Sequence, residues 1–272
     1  VSFSSFHTHT RLCKHASGVP ADYVRRAAAD GCSALGFSDH GPYPDDSVWP
    51  ASRMSVAQVP EYRRLVDEAR AVAAALPSDK TFPVFFGFEC EWYPAYESWY
   101  RDYLRAEVGA EYLVYGSHWI QDAGDFWYIP DYAKPELLRR YVDLTVSGIR
   151  SGLYDLFAHP DILLAGYTKL DADVRAACRD IIDAAVSADM PMEINGLGLQ
   201  KTRVRGDEGM RFPYPVREFW EMAAEAGARI VCNSDAHRSE DVIAGTRRAT
   251  AFAEKIGVAT IDTATALGFT KA

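Results

Sequence analysis

Short apolar runs recur along the chain between longer segments whose apolar positions return every three or four residues. The first run opens the chain, Val1 to Phe6, and leads into Phe6-His7-Thr8-His9-Thr10 and then His15. Pro20 to Asp30 is alanine-rich, with Pro at its start and Gly31 just past its end, and reads as a helix. Ala34 to Ser38 is a second strand followed by Asp39-His40-Gly41-Pro42, and the Pro-, Ser- and Asp-rich stretch to Pro60 reads as a loop. Glu61 to Leu76 is an amphipathic helix. Pro83 to Phe88 is continuously apolar, as a buried parallel strand would be, and ends in Glu89-Cys90-Glu91.

The same alternation continues to the far end. An aromatic segment with Trp92, Tyr93, Tyr96, Trp99 and Tyr100 leads into a helix closing near Gly109. Tyr112 to Tyr115 is a strand ending in Gly116-Ser117-His118, and Pro135 to Gly152 is a helix. Asp155 to Ala158 is a strand ending in His159-Pro160-Asp161, and Asp171 caps a helix that runs to Asp189. Pro191 to Ile194 is a strand ending in Asn195-Gly196; Leu197 to Pro213 reads as a loop carrying Lys201, Arg203, Arg205 and Arg211; Val216 to Gly227 is helical. Ala228 to Cys232 is the last strand, leading into Asn233-Ser234-Asp235-Ala236-His237, with a final helix from Ser239 and an unassigned tail.

Seven strand-then-helix units with no antiparallel block predict parallel strands joined by right-handed crossovers. A closed or nearly closed α/β barrel is favoured over an open doubly wound sheet. No repeat, low-complexity tract or linker divides residues 1–272, which read as one domain.

The chain has seven histidines, His7, His9, His15, His40, His118, His159 and His237, and each falls at or just past the C-terminal end of a predicted strand. A histidine in such a place, taken singly, is ordinarily a hydrogen-bonded or solvent-facing residue. In a parallel barrel, however, those strand ends form one face, so the set reads as a polymetal site. His7 and His9 alternate on an extended segment and point to the same side, and Asp235 and His237 repeat that spacing. Among the acids at the same ends, Glu89 is the best candidate to bridge two ions. Glu91 reads as a supporting or loop acid, and Asp39, Asp161 and Glu193 stand outside the ligand set; Cys13 reads as a buried or loop thiol before it reads as a soft ligand.

Composition narrows the partners. A formal net charge of −9 argues against a general nucleic-acid or membrane-surface binder. An anionic substrate would then be drawn by a local positive centre, which metal ions supply. No run resembles a signal peptide and no apolar stretch reaches the length of a membrane span. Five cysteines, scattered and without CxxC spacing, fit a reducing cytoplasm and not a disulfide framework.

The ordered motifs His7-Thr8-His9, His15, Ser38-Asp39-His40, Gly87-Phe88-Glu89, Gly116-Ser117-His118, Ala158-His159-Pro160 and Asn233-Ser234-Asp235-Ala236-His237 resemble those of the PHP (polymerase and histidinol phosphatase) superfamily. Arg53-Met54 and Glu193-Ile194-Asn195-Gly196, with the basic loop behind them, look most like its histidinol-phosphate phosphatase branch. The resemblance implies a distorted (β/α)7 TIM-like barrel holding three divalent ions. His7, His9, Glu89 and Asp235 would hold the first, Glu89, His118 and His159 the second, and His15, His40 and His237 the third. It implies hydrolysis of a phosphate monoester, L-histidinol phosphate foremost, in histidine biosynthesis.

Phosphate-ester hydrolysis needs a nucleophile at neutral pH and cancellation of charge on the phosphoryl oxygens, and clustered metals supply both. A metal-bridging hydroxide attacking phosphorus in line with the departing alkoxide is the expected chemistry, with His7, His9, Glu89, Asp235 and His237 at its centre. Arg53, Lys201, Arg203 and Arg205 are candidates to hold the phosphate, each equally readable as an exposed basic residue. Trp92, Trp119, Phe126 and Trp127 are candidate walls for a flat ring, although most aromatics are simply core. Zinc, manganese and iron all suit mixed His and carboxylate ligands. Three alternatives stay open: the same site on a nucleotide, sugar phosphate or phosphodiester; a metal-dependent amidohydrolase; and a non-catalytic metal-binding or nucleic-acid-associated module, which the acidic balance disfavours. Oligomeric state is not readable.

Overall fold

The computed structural model of the protein describes residues 3–46 and 48–269. Its strands are β1 (Phe3–Ser5), β2 (Cys32–His40), β3 (Val84–Cys90), β4 (Tyr112–Gly116), β5 (Trp119–Asp122), β6 (Asp125–Tyr128), β7 (Leu156–Ala158), β8 (Met192–Asn195), β9 (Val204–Gly206), β10 (Gly209–Arg211) and β11 (Ile230–Asn233). Seven of them form one sheet in the order β1-β2-β3-β4-β7-β8-β11, parallel throughout. The two edges meet just past the strand ends, where Thr8 bridges Ala236 and the His9 amide donates to the Ala236 carbonyl at 2.9 Å. The result is a nearly closed α/β barrel of the TIM-like kind, distorted where β1 and β7 shrink to three residues each.

Crossovers carry α1 (Pro20–Ala29), α2 (Val59–Ala74), α3 (Leu138–Arg150), α4 (Ala172–Ser187) and α5 (Arg217–Glu225) on the outer face, and α6 (Val242–Ile256) follows the last strand. Between β3 and β4 the connection is a π-helix, Trp99–Glu107, whose wide turns appear in the Val108 amide donating to the Tyr103 carbonyl five residues back at 2.8 Å. Apolar spacing cannot separate such a helix from an α-helix. Two antiparallel hairpins, β5–β6 and β9–β10, were not expected; both sit in segments the pattern leaves as loops.

Strand alternation sorts β3 into two faces. Phe86, Phe88 and Cys90 pack outward in the main core, where the Tyr62 ring of α2 lies 5.1 Å from Phe86 and 5.3 Å from Phe88. Phe85 faces a smaller cluster inside the barrel with Phe6, Ala34, Tyr112, Val114, Leu156, Ala158 and Val231. Tyr112 occupies the barrel axis because Gly36 and Gly87 leave it room; a Cβ on Gly36 would land on the Tyr112 hydroxyl and 2.5 Å from Phe6 Cδ1. Gly36→Ala is therefore expected to destabilise the protein by about 1–3 kcal/mol through overpacking, read as a lower denaturant midpoint. An unchanged midpoint would mean that the axis is loosely filled.

The N-terminal end of the barrel is plugged. A short helix, α7 (Thr263–Ala266), begins at Asp262, whose carboxylate accepts from the Thr265 amide at 3.1 Å and the Ser4 hydroxyl at 2.6 Å. Phe269 behind it lies 4.1 Å from Phe85 and 5.5 Å from Phe6. Polar side chains collect at the other end. Among the described residues no helix is long and apolar enough to cross a membrane, and all five cysteines are free.

Candidate metal centre

The strand ends bring all seven histidines to one place. Thr8 is pinned on both sides, its amide donating to Ser38 Oγ at 3.1 Å and its carbonyl accepting from the Ser38 amide at 3.0 Å, so His7 and His9 project together with ring centroids 5.0 Å apart. Glu89 arrives from the inward face of β3. Gly116 on the neighbouring strand makes way for it: a Cβ there would land on Glu89 Oε1 and 2.6 Å from His118 Cε1. His159 and Asp235 hold φ of 32° and 51°, a left-handed backbone that costs a non-glycine residue about 1–3 kcal/mol. The surrounding fold sustains that cost where the two side chains turn into the site.

Glu89 lies at the centre. Its Oε2 is 3.1 Å from His40 Nδ1, 3.3 Å from His7 Nε2 and 3.4 Å from His9 Nε2, while its Oε1 is 3.2 Å from His159 Nε2 and 3.3 Å from His118 Nε2. Asp235 Oδ1 is 3.2 Å from His9 Nε2 and 3.5 Å from both His7 Nε2 and His237 Nδ1. His15 completes the group on the outer side, its ring 4.8 Å from that of His237 and 5.3 Å from that of His40. Potential ligand atoms fall within 4.8 Å of one another in sets such as His7/His9/Glu89, His7/His159/Asp235, His9/His40/His237 and Cys13/His15/His237.

These atoms lack hydrogen-bond partners although they are buried: His7 Nε2, His9 Nε2, His40 Nδ1 and Glu89 Oε2 are all orphaned. Buried polar atoms are normally satisfied, and several lone-pair donors converging on one carboxylate fit divalent cations. Their outer sides are braced. His7 Nδ1 donates to Glu193 at 3.0 Å, and Glu193 is itself held by Asn195 at 2.6 Å and Asn233 at 3.2 Å. Asp39, beside His9, accepts from the amide and hydroxyl of Thr10. His118 Nδ1 donates to Glu91 at 2.9 Å. Asp161 belongs elsewhere, accepting from the Val216 amide at 2.7 Å and Trp220 Nε1 at 3.1 Å, and burial pushes it up to about 7.

Electrostatics agree with a site built for cations. Burial alone would strip the proton from His7, yet Asp235, Glu193 and Glu89 together outweigh it and hold the ring well above its ordinary value. The same opposition of burial to Asp235 and Asp39 leaves His9 raised to about 9. Burial wins at His40, well below normal, and at His237, lowered with the help of His9 to about 3. Burial also opposes the charge on Glu89 and Asp235, but the surrounding imidazoles, His7 foremost, keep both well below the carboxylate range. Burial and the nearby Asp39 push the Cys13 thiol up.

A cavity of about 330 Å³ opens onto the cluster, lined by His15, His40, Glu89, His118, His159, Asp235 and His237 on one side and by Ser52, Arg53, Glu91, Trp119, Tyr128, Ile162, Leu197, Lys201 and Tyr214 on the other. A larger surface groove of about 890 Å³, along α3 and α4, holds no histidine. Of the four basic candidates, Arg53 and Lys201 line the cavity. Arg203 and Arg205 do not: they sit on and beside the exposed β9–β10 hairpin, Arg203 stacked 4.4 Å from Phe212. Arg53 is buried, with both terminal nitrogens on Glu91 and its guanidinium 4.5 Å from the Tyr43 ring. Of the four aromatics named as ring walls, Trp119 lines the cavity; Trp92 donates to Ser147, Phe126 packs on Tyr93 and Trp127 stacks on Tyr132. Tyr128 and Tyr214 were missed, one on an unforeseen hairpin and the other in a loop without periodicity.

The PHP domain family model matches residues 5–196. A Deinococcus radiodurans protein named "Probable histidinol-phosphatase" is 30% identical over 245 residues, 87% of this chain and 86% of that protein. Among solved structures, histidinol phosphate phosphatase from Lactococcus lactis subsp. lactis Il1403, complexed with zinc, L-histidinol and phosphate, superposes with a TM-score of 0.72. It is 16% identical, with 96% of this chain and 95% of that one covered. With the family model spanning most of the chain and a relative matching nearly end to end, this protein belongs to the PHP domain family.

Proposed function

We propose that the protein is a metal-dependent phosphatase that hydrolyses L-histidinol phosphate to L-histidinol and phosphate. The observation that carries this reading is the Glu89 carboxylate, which offers one oxygen to His7 and His9 and the other to His118 and His159, with unpartnered nitrogens converging on it. The similarity to a histidinol-phosphatase over most of both chains supports the choice of ester.

His7, His9, Glu89 and Asp235 would hold a first divalent ion, Glu89, His118 and His159 a second, and His15, His40 and His237 a third; zinc, manganese and iron all suit these donors. When bound, such ions acidify water and screen the phosphoryl oxygens. The protein's own contribution is placement. Glu193 and Glu91 hold His7 and His118 with their inner nitrogens free. Lys201 projects at the cavity with its Nζ 5.9 Å from the Tyr214 ring, free to meet a phosphate oxygen, whereas the charge of Arg53 is already matched by Glu91. Trp119, Tyr128 and Tyr214 supply flat apolar surface for the imidazole of the leaving alcohol. The free cysteines fit the cytoplasm as the place of action, and the chain acts as one catalytic domain.

The test is phosphate release from L-histidinol phosphate by protein stripped with a chelator and reloaded with zinc, manganese or iron. Turnover should vanish on stripping and return on loading; survival after complete stripping, or no release with any metal, ends this reading. Lys201→Ala should raise KM about tenfold with kcat little changed, the scale of one lost charged hydrogen bond. An unaltered KM would remove Lys201 from the substrate.

A further inference from the structure

Glu91 is buried, and five donor atoms converge on its carboxylate. Oε1 accepts from His118 Nδ1 at 2.9 Å, Arg53 Nη2 at 3.0 Å and Trp119 Nε1 at 3.1 Å; Oε2 accepts from the Tyr43 hydroxyl at 2.6 Å and Arg53 Nη1 at 3.1 Å. An ionised carboxylate only accepts, and it offers about four lone-pair sites. This one is full.

Two consequences follow for the groups it holds. His118 must carry its proton on Nδ1, which leaves the lone pair on Nε2, 3.3 Å from Glu89 Oε1 and 3.2 Å from His159 Nε2. His159 is the contrast, since its Nδ1 is buried without a partner and its Nε2 faces Glu89 Oε1 at 3.2 Å, so no carboxylate braces it from behind. The same carboxylate also fixes Arg53 and Trp119, both on the cavity wall, and Trp119 is backed by Trp49 at a ring separation of 3.6 Å.

We propose that Glu91 is a positioning residue: it presents His118 to the second ion in the Nδ1–H form and, through Arg53 and Trp119, ties that ring to the wall that receives the substrate. The inference rests on the reading of His118 as a ligand. Grip on the second ion and the shape of the substrate wall are thereby one mechanical element.

The experiment is chelator competition on zinc-loaded parent, Glu91→Gln and the paired variant R53M/E91Q, combined with 15N spectra of labelled histidines. The paired variant removes both buried charges together, so no guanidinium is stranded if the single variant fails to fold. Both variants should release one ion about 10–100-fold more readily than the parent, the usual cost of losing a ligand's supporting acid. The parent should show His118 as an Nδ1–H ring bonded through Nε2, and the variants should lose that single pattern. Parent-like ion retention with unchanged His118 signals in the folded paired variant would overturn the proposal, as would a parent whose His118 carries no Nδ1 proton. Both readouts are taken without substrate, so they stand apart from whether histidinol phosphate is hydrolysed.

Discussion

Glu89→Gln is expected to reduce turnover of histidinol phosphate by roughly 10³-fold or more, the scale of losing a principal electrostatic stabiliser of a transition state, while the protein stays folded. An amide keeps the volume that Gly116 makes room for, so the barrel has no reason to rearrange. What it loses is the anionic bridge. One oxygen becomes an NH₂ that confronts either the His7/His9 pair or the His118/His159 pair with donors in place of a lone pair, and the cations proposed to share Glu89 would lose the negative charge that offsets their repulsion. Metal content measured alongside kcat should fall with it. Asp235→Asn makes a useful companion, because asparagine tolerates the left-handed backbone at that position and removes only the charge. Parent-like turnover in Glu89→Gln would remove Glu89 from the chemistry.

The second large effect is a trade of protons for metal. In the metal-free protein His9 is raised to about 9 and His7 is held well above its ordinary value, so both rings keep a proton at neutral pH. A group whose folded pKa is raised stabilises the fold fully below its unfolded value, about 6.5 for histidine, and loses that contribution as pH climbs through the folded value. Stripped protein should therefore lose thermal stability as pH rises from about 6.5 towards 9. Loaded protein should not, because cations take over the work of the protons. Adding zinc to stripped protein in weak buffer near pH 7.5 should release protons, read with an indicator dye. Parallel stability curves for the two forms, or zinc uptake without proton release, would contradict the protonation described for His7 and His9.

The barrel strands were legible because a strand buried on both faces reads as an unbroken apolar run: Pro83 to Phe88 in the sequence became Val84–Cys90 in the fold. The histidines were legible because a parallel barrel has one face where such runs end. What escaped notice depends on contacts between distant segments. Arg53 carries nothing in its surroundings to show that Glu91, thirty-eight residues later, neutralises it. The β5–β6 hairpin turns at Ala123 and Gly124 with strands of four residues, too short for alternation to register. Arg203 and Arg205 share a basic loop with Lys201, yet a turn of chain separates them from the cavity that Lys201 lines. Composition alone could not distinguish the three.

The plug formed by α7 and Phe269 has a bearing on traffic. With Tyr112 filling the axis and aromatic rings stacked beneath it, the floor under the histidines is closed by packed side chains, so reactant and both products must use the same doorway. Phosphate would rest deepest, against the histidines, and the alcohol nearer the rim. Inorganic phosphate is therefore expected to contend with the ester for that innermost seat, which would show as competitive inhibition in initial-rate measurements.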